Sequence, residues 1–204
     1  MELREALSQI TAIRAQIART ETFRGYRAAT VGFSGLMALA GAALQAVWIP
    51  QPAEHVGAYL ALWIGAAAVS VLVCGAEMAV RSYRATSPLT RQLTLLAVEQ
   101  FLPCVVAGGL LTYAMATFAT QSLWMLPGLW AIVFSLGVFA SCRLLPRQIF
   151  WVGTYYLVAG IAVLALARAE AAFSPWAMAA TFGVGQMLAA AILYFTLERI
   201  DEKR

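Results

Sequence analysis

Six stretches of the chain, roughly 28–49, 57–80, 93–117, 122–142, 148–168 and 175–197, are apolar over lengths that soluble helices rarely sustain. A helix needs about 20 apolar residues to cross the hydrocarbon core of a bilayer, and each stretch meets that requirement. Transmembrane strands would be shorter and would alternate in polarity. The expected fold is therefore all-α, a polytopic bundle of six transmembrane helices arranged as three hairpins, preceded by a cytoplasmic amphipathic helix. Composition agrees, with 62% hydrophobic and 12% charged residues in 204, where a soluble domain is about a quarter charged. Six spans and short loops use up the length and leave no room for a soluble catalytic domain.

Helix breakers fall between the stretches. Pro50 and Pro52 follow the first, Ser87-Pro88 precedes the third, Pro146 follows the fourth and Ser174-Pro175 opens the sixth. A Ser-Pro pair suits a helix start, because the serine takes the N-cap and the proline at N1 lacks only an N–H that would be unpaired there. The expected division is 1–26 as the cytoplasmic amphipathic helix, 27–198 as the six-helix membrane domain and 199–204 as a charged cytoplasmic tail.

Orientation follows from the basic residues. Arg4, Arg14, Arg19, Arg24 and Arg27, then Arg81, Arg84 and Arg91, then Arg143 and Arg147, and finally Arg199, Lys203 and Arg204 all fall on one side of this topology, against Arg168 on the other. Basic residues near span ends stay in the cytoplasm, so both termini are expected there. The net charge of +4 is thus read as topology and not as nucleic-acid binding. No cleavable secretory signal is recognised after Met1. Trp48, Tyr59, Trp63, Trp124 and Trp176 fall at outer span ends and Tyr26, Tyr83, Phe150 and Trp151 at inner ones, as an interfacial aromatic belt would require.

Missing residue types limit the chemistry. The chain has one His (His55, in an outer loop), one Asp (Asp201), one Lys (Lys203) and no Asn. Haem ligation, zinc catalysis, a Ser–His pair and an intramembrane aspartyl dyad all lack their residues. No enzyme activity, cofactor or metal site is expected. Cys74, Cys104 and Cys142 lie inside spans as small hydrophobes, and an odd count excludes a complete disulfide framework.

A few polar groups remain inside the spans. Glu77 and Glu99 lie near the inner ends of the second and third, and a carboxylate in a membrane is costly enough to be considered as a proton or cation site. The bland alternative for Glu77 is an ion pair with Arg81 at i, i+4. Gln100 follows Glu99, and Pro103 cannot donate to the Glu99 carbonyl, so a kink there would free an acceptor beside both side chains. Gln186 lies near the middle of the sixth span and reads as interhelical glue or a ligand contact. Glu77, Glu99, Gln100 and Gln186 are the candidate polar or ion site. The runs led by Gly35, Gly109 and Gly160 in the odd-numbered spans raise a threefold hairpin repeat.

The N-terminal segment has a different pattern. Leu3, Ala6, Ile10, Ile13, Ile17 and Thr20 recur at 3-4 spacing, a heptad seam too short to be stable alone. Leu3, Ile10, Ile13 and Ile17 are its candidate partner contacts, against another protein, a second copy of the chain, or the membrane surface.

Val98-Glu99-Gln100-Phe101-Leu102-Pro103-Cys104, Trp124-Met125-Leu126-Pro127-Gly128-Leu129-Trp130 and Ser174-Pro175-Trp176-Ala177-Met178 resemble an uncharacterised family of small bacterial membrane proteins. That resemblance implies six spans in a bacterial inner membrane and no assigned activity. The three-hairpin layout is also similar to that of acid-resistance proteins of the HdeD type. The expected role is non-enzymatic association, as an accessory, regulatory or assembly subunit or a homo-oligomer. The rival is a small transporter or channel for a proton, a cation or a small neutral solute.

Overall fold

A computed structural model describes residues 28–84, 88–167 and 169–198. The expected amphipathic helix with its Leu3, Ile10, Ile13 and Ile17 seam lies outside the described residues, as does the charged tail. Within them the fold is all-α, with six helices long and apolar enough to span a membrane.

Helices α1 (Ala28–Trp48), α2 (Val56–Arg84), α3 (Pro88–Phe118), α4 (Leu126–Ser141) and α5 (Ile149–Leu166) form the first five spans. The sixth, Pro175–Thr196, is composite. It comprises α6 (Pro175–Met178), a π-helical segment Ala179–Val184, α7 (Gly185–Leu193), and the first part of a second π-helical segment, Tyr194–Glu198. A helix satisfies its own backbone groups, which hydrocarbon cannot do. The breakers act where expected: α1 stops just before Pro50, and Pro88 and Pro175 open α3 and α6; Pro127 adds a further proline in the first turn of α4. Ser174 occupies the N-cap of α6, but its hydroxyl makes no capping bond. A short 3₁₀ turn, Thr120–Met125, forms the first part of the fourth span, and another, Ala169–Phe173, leads into the sixth.

Four spans make the body. The first packs on the sixth, the sixth on the fifth and the fifth on the fourth. Glycines set these crossings. A Cβ on Gly128 would come within 2.8 Å of the Gly160 carbonyl, and a Cβ on Gly160 within 2.7 Å of the Gly128 carbonyl, so α4 and α5 touch backbone to backbone. Gly35 does the same for α1, with the Gly183 carbonyl and the Gln186 Cβ 3.3 and 3.1 Å from its Cβ position. Lipid is as apolar as a core, so close approach and dispersion, not exclusion from water, hold such helices together.

Helices α2 and α3 are attached differently. α2 packs chiefly on α1, α3 chiefly on α4, and the two meet over only a short stretch. Of their most apolar segments 11% and 6% is buried, against 28% to 44% in the other four spans. The buried residues form two clusters. One joins Ala28 and Val31 to Val138, Val152, Tyr156, Ala189 and Leu193; the other joins Ala38 and Ala42 to Tyr59, Trp63, Phe173, Met178 and Ala179. Phe101, Phe134, Tyr156 and Phe182 form an aromatic line from α3 to the sixth span, with centroids 5.3, 4.7 and 5.5 Å apart.

Tyr59 and Trp63 depart from the interfacial role expected of them. They are 0% and 4% exposed and face the bundle, whereas Trp48 and Trp176 are exposed as belt residues should be. The three glycines that suggested a repeat also have unlike surroundings: Gly35 meets Gln186, Gly160 meets Gly128, and Gly109 has nothing within 4 Å.

Candidate functional site

The two carboxylates suggested by sequence have different settings. Glu77 faces α1, where the Thr30 hydroxyl donates to its Oε2, and Arg81 lies one turn on with Nε 3.9 Å from Oε1. Cys74, on the same face, points its thiol at the Thr30 carbonyl at 4.0 Å. This is the i, i+4 pair expected of the bland reading, reinforced by a hydroxyl from the neighbouring span. Glu99 is exposed on α3, with Ala97 and Phe101 on the side that packs inward.

Pro103 lies inside α3, which continues as one helix from Pro88 to Phe118. Gln100 is half-buried, and its Oε1 is enclosed without a hydrogen-bond partner. Gln186 is half-buried on α7, its Cβ against α1 at Gly35. The four polar candidates lie on three helices, with Glu99 exposed and Gln100 half-buried on α3, so they do not share one face. Among the described residues no group of three His, Cys, Asp or Glu could hold a metal. The cysteines are free and half-buried.

The best-formed polar arrangement was missed by sequence reading. Gln45, near the far end of α1, is wholly buried. Its Oε1 accepts the indole N–H of Trp63 at 2.8 Å, and its Nε2 donates to the Phe173 carbonyl at 2.6 Å. One side chain thus ties together α1, α2 and the connection into the sixth span. Tyr59, one turn before Trp63, sets its ring edge-on to Phe173 with centroids 5.0 Å apart. The signal was present: a single amide in a span whose other polar side chains are the small hydroxyls of Thr30 and Ser34, with tryptophan in the next span.

A second arrangement surrounds the π-helical segment. A π turn widens the helix and disturbs its regular bonding. Here the Tyr155 hydroxyl donates to the Ala180 carbonyl at 2.5 Å, and Tyr156 lies flat where a Cβ on Gly185 would be. Two successive tyrosines of α5 thus fit the distorted turn, and the Tyr156 hydroxyl is enclosed without a partner.

The outward faces of α2 and α3 carry a third feature. Gly57, Gly65, Gly75, Gly108 and Gly109 have nothing among the described residues within 4 Å of a Cβ position, and all lie on these two helices. Every other described glycine meets a neighbour. On α2, Ala61, Gly65, Ala68, Leu72, Gly75 and Ala79 are all exposed and recur at 4-3-4-3-4 spacing, the period of a two-helix seam. The opposite face, with Tyr59, Trp63, Cys74 and Glu77, holds α1. No protein-family model matches the chain, and neither a curated protein nor a solved structure is detectably similar to it.

Proposed function

We propose that this integral membrane protein works by association, without catalysis, and that the outward seam of α2 is where another transmembrane helix packs. The observation that carries the reading is the distribution of glycines. A glycine inside a helix costs roughly 0.5–1 kcal/mol relative to alanine. At Gly35, Gly128 and Gly160 that cost is offset by close helix contact. At Gly65 and Gly75 nothing among the described residues offsets it, and a second helix on the small-residue seam would do so through the close approach that membrane helices use.

An accessory, regulatory or assembly subunit and a homo-oligomer both fit this role. The N-terminal seam of Leu3, Ile10, Ile13 and Ile17 supplies a second contact in the same proposal, and the lipid bilayer is the common partner. Cytoplasmic termini also belong to it, resting on the charge asymmetry of the connections, and so does a bacterial inner membrane, resting on the resemblance to small bacterial membrane proteins.

The test is Gly65→Leu with Ala68→Leu. Both positions are open, so the bundle should stay folded, while native mass spectrometry from mild detergent should show the complex lost. An unchanged assembly would reject the α2 seam. The transporter reading draws on the enclosed polar atoms of Gln100 and Tyr156; proton, cation or solute flux in proteoliposomes, abolished by Gln186→Leu, would favour it instead.

A further inference from the structure

At the end of the bundle away from Arg81, two polar side chains keep unused hydrogen-bonding capacity deep inside the protein. A carboxamide offers two N–H donors and two acceptor lone pairs. Gln45 spends one of each, on the Phe173 carbonyl and the Trp63 indole, and these two bonds also fix which way the amide points. One donor and one acceptor site remain on a side chain that is 0% exposed. Tyr59 belongs to the same buried cluster, is 0% exposed, and has a hydroxyl enclosed without a partner. Its ring touches Phe173 and lies 6.4 Å from that of Trp63, the two residues that hold Gln45.

We propose that Tyr59 and Gln45 form a binding site for one small neutral molecule able both to donate and to accept hydrogen bonds, and that this molecule is a trapped water. Neutrality follows from burial among apolar side chains, Ala38, Ala42, Met178 and Ala179, where a charge would be costly. The size limit follows from the packing: a Cβ added to Gly41 would already touch the Trp63 ring at 3.4 Å, and a bulky ligand would have to part α1 from α2. Water meets the chemical requirement, since internal waters make about three hydrogen bonds to buried groups that would otherwise be unpaired. The site is independent of the association reading.

The test is a double-mutant cycle read as thermal midpoint in detergent, using Tyr59→Phe, Gln45→Met and the pair. Tyr59→Phe removes one oxygen and nothing that packs. If a water bridges the two side chains, Tyr59→Phe alone lowers the midpoint, and the double variant loses clearly less than the two single shifts added together, because the bridge can be lost only once. If the hydroxyl is idle, Tyr59→Phe leaves the midpoint unchanged or raises it and the shifts add; that result overturns the proposal. Should Gln45→Met fail to fold, a high-resolution structure of the unaltered protein decides. Solvent density within about 3 Å of the Tyr59 hydroxyl and of the Gln45 amide supports the site, and density bonded to neither rejects it.

Discussion

Trp63 donates its indole N–H to Gln45, 18 residues back along the chain, at 2.8 Å. Trp130 repeats the relation with Thr112, again 18 residues back and at 2.8 Å. In each of the first two hairpins the returning helix is thus pinned to the outgoing one by a tryptophan. The two pins differ in what their loss leaves behind. Trp63→Phe strands a fully buried amide oxygen, whereas Thr112 is half-buried and already donates to the Gly108 carbonyl at 2.7 Å. An unsatisfied buried group costs about 1–3 kcal/mol. Trp63→Phe should therefore lower the unfolding midpoint in detergent well beyond Trp130→Phe, and equal shifts would contradict the burial of Gln45.

Glycine substitutions should separate into two classes. Gly160→Ala places a methyl 2.7 Å from a backbone carbonyl that cannot move aside, and Gly128→Ala does so at 2.8 Å. Each should destabilise by about 2 kcal/mol or more, in the range of overpacked cores. Gly75→Ala meets nothing, and helix propensity alone would stabilise it by up to about 1 kcal/mol. Midpoints of the purified variants would show the contrast; a stabilised Gly160→Ala would mean that α4 and α5 do not touch.

Glu77→Gln should be mild and Glu77→Leu worse. The amide still offers an acceptor to Thr30 and gives up the charge attraction to Arg81, whose side chain is 37% exposed; about 1 kcal/mol or less is at stake in that pair. Leucine leaves the Thr30 hydroxyl to find another acceptor. Any proton or cation flux measured in proteoliposomes should be unaffected by Glu77→Gln. Flux lost with the midpoint unchanged would shift the carboxylate from a structural to a transport role.

Topology can be checked with single cysteines in a background lacking the native three. A membrane-impermeant thiol reagent applied outside intact cells should label His55→Cys and Gln121→Cys and spare Gln148→Cys; all three positions are exposed. The reverse pattern would turn the protein over.

The six spans were legible because each is a long apolar run, and their ends fall within a few residues of the helices observed. Which side of each helix turns inward was not legible. In water a helix shows its buried face by contrast with polar residues, but a helix between lipid and protein is apolar all round. Tyr59 and Trp63 therefore read as belt residues, and Gln45 passed as one more residue of the first span. Glu99 and Gln100, adjacent in sequence, read as one site. A helix turns about 100° per residue, and here that turn leaves Glu99 exposed while the Gln100 oxygen is enclosed. The Glu77–Arg81 pair was recoverable because it is local, four residues apart on one helix, whereas its Thr30 contact spans 47 residues.

The uneven attachment of the helices has a mechanical consequence. α2 has 29 residues and α3 has 31, about 44 and 46 Å at 1.5 Å per residue, against a hydrocarbon slab of about 30 Å. Such excess length is accommodated by tilt. The four-span body is fixed by backbone contacts at Gly35, Gly128 and Gly160 and cannot lean one helix at a time. α2 and α3, each held along one side, can. In a thinner or thicker bilayer the adjustment would fall on this pair, so the slant of the outward seam would be set by the thickness of the membrane around it.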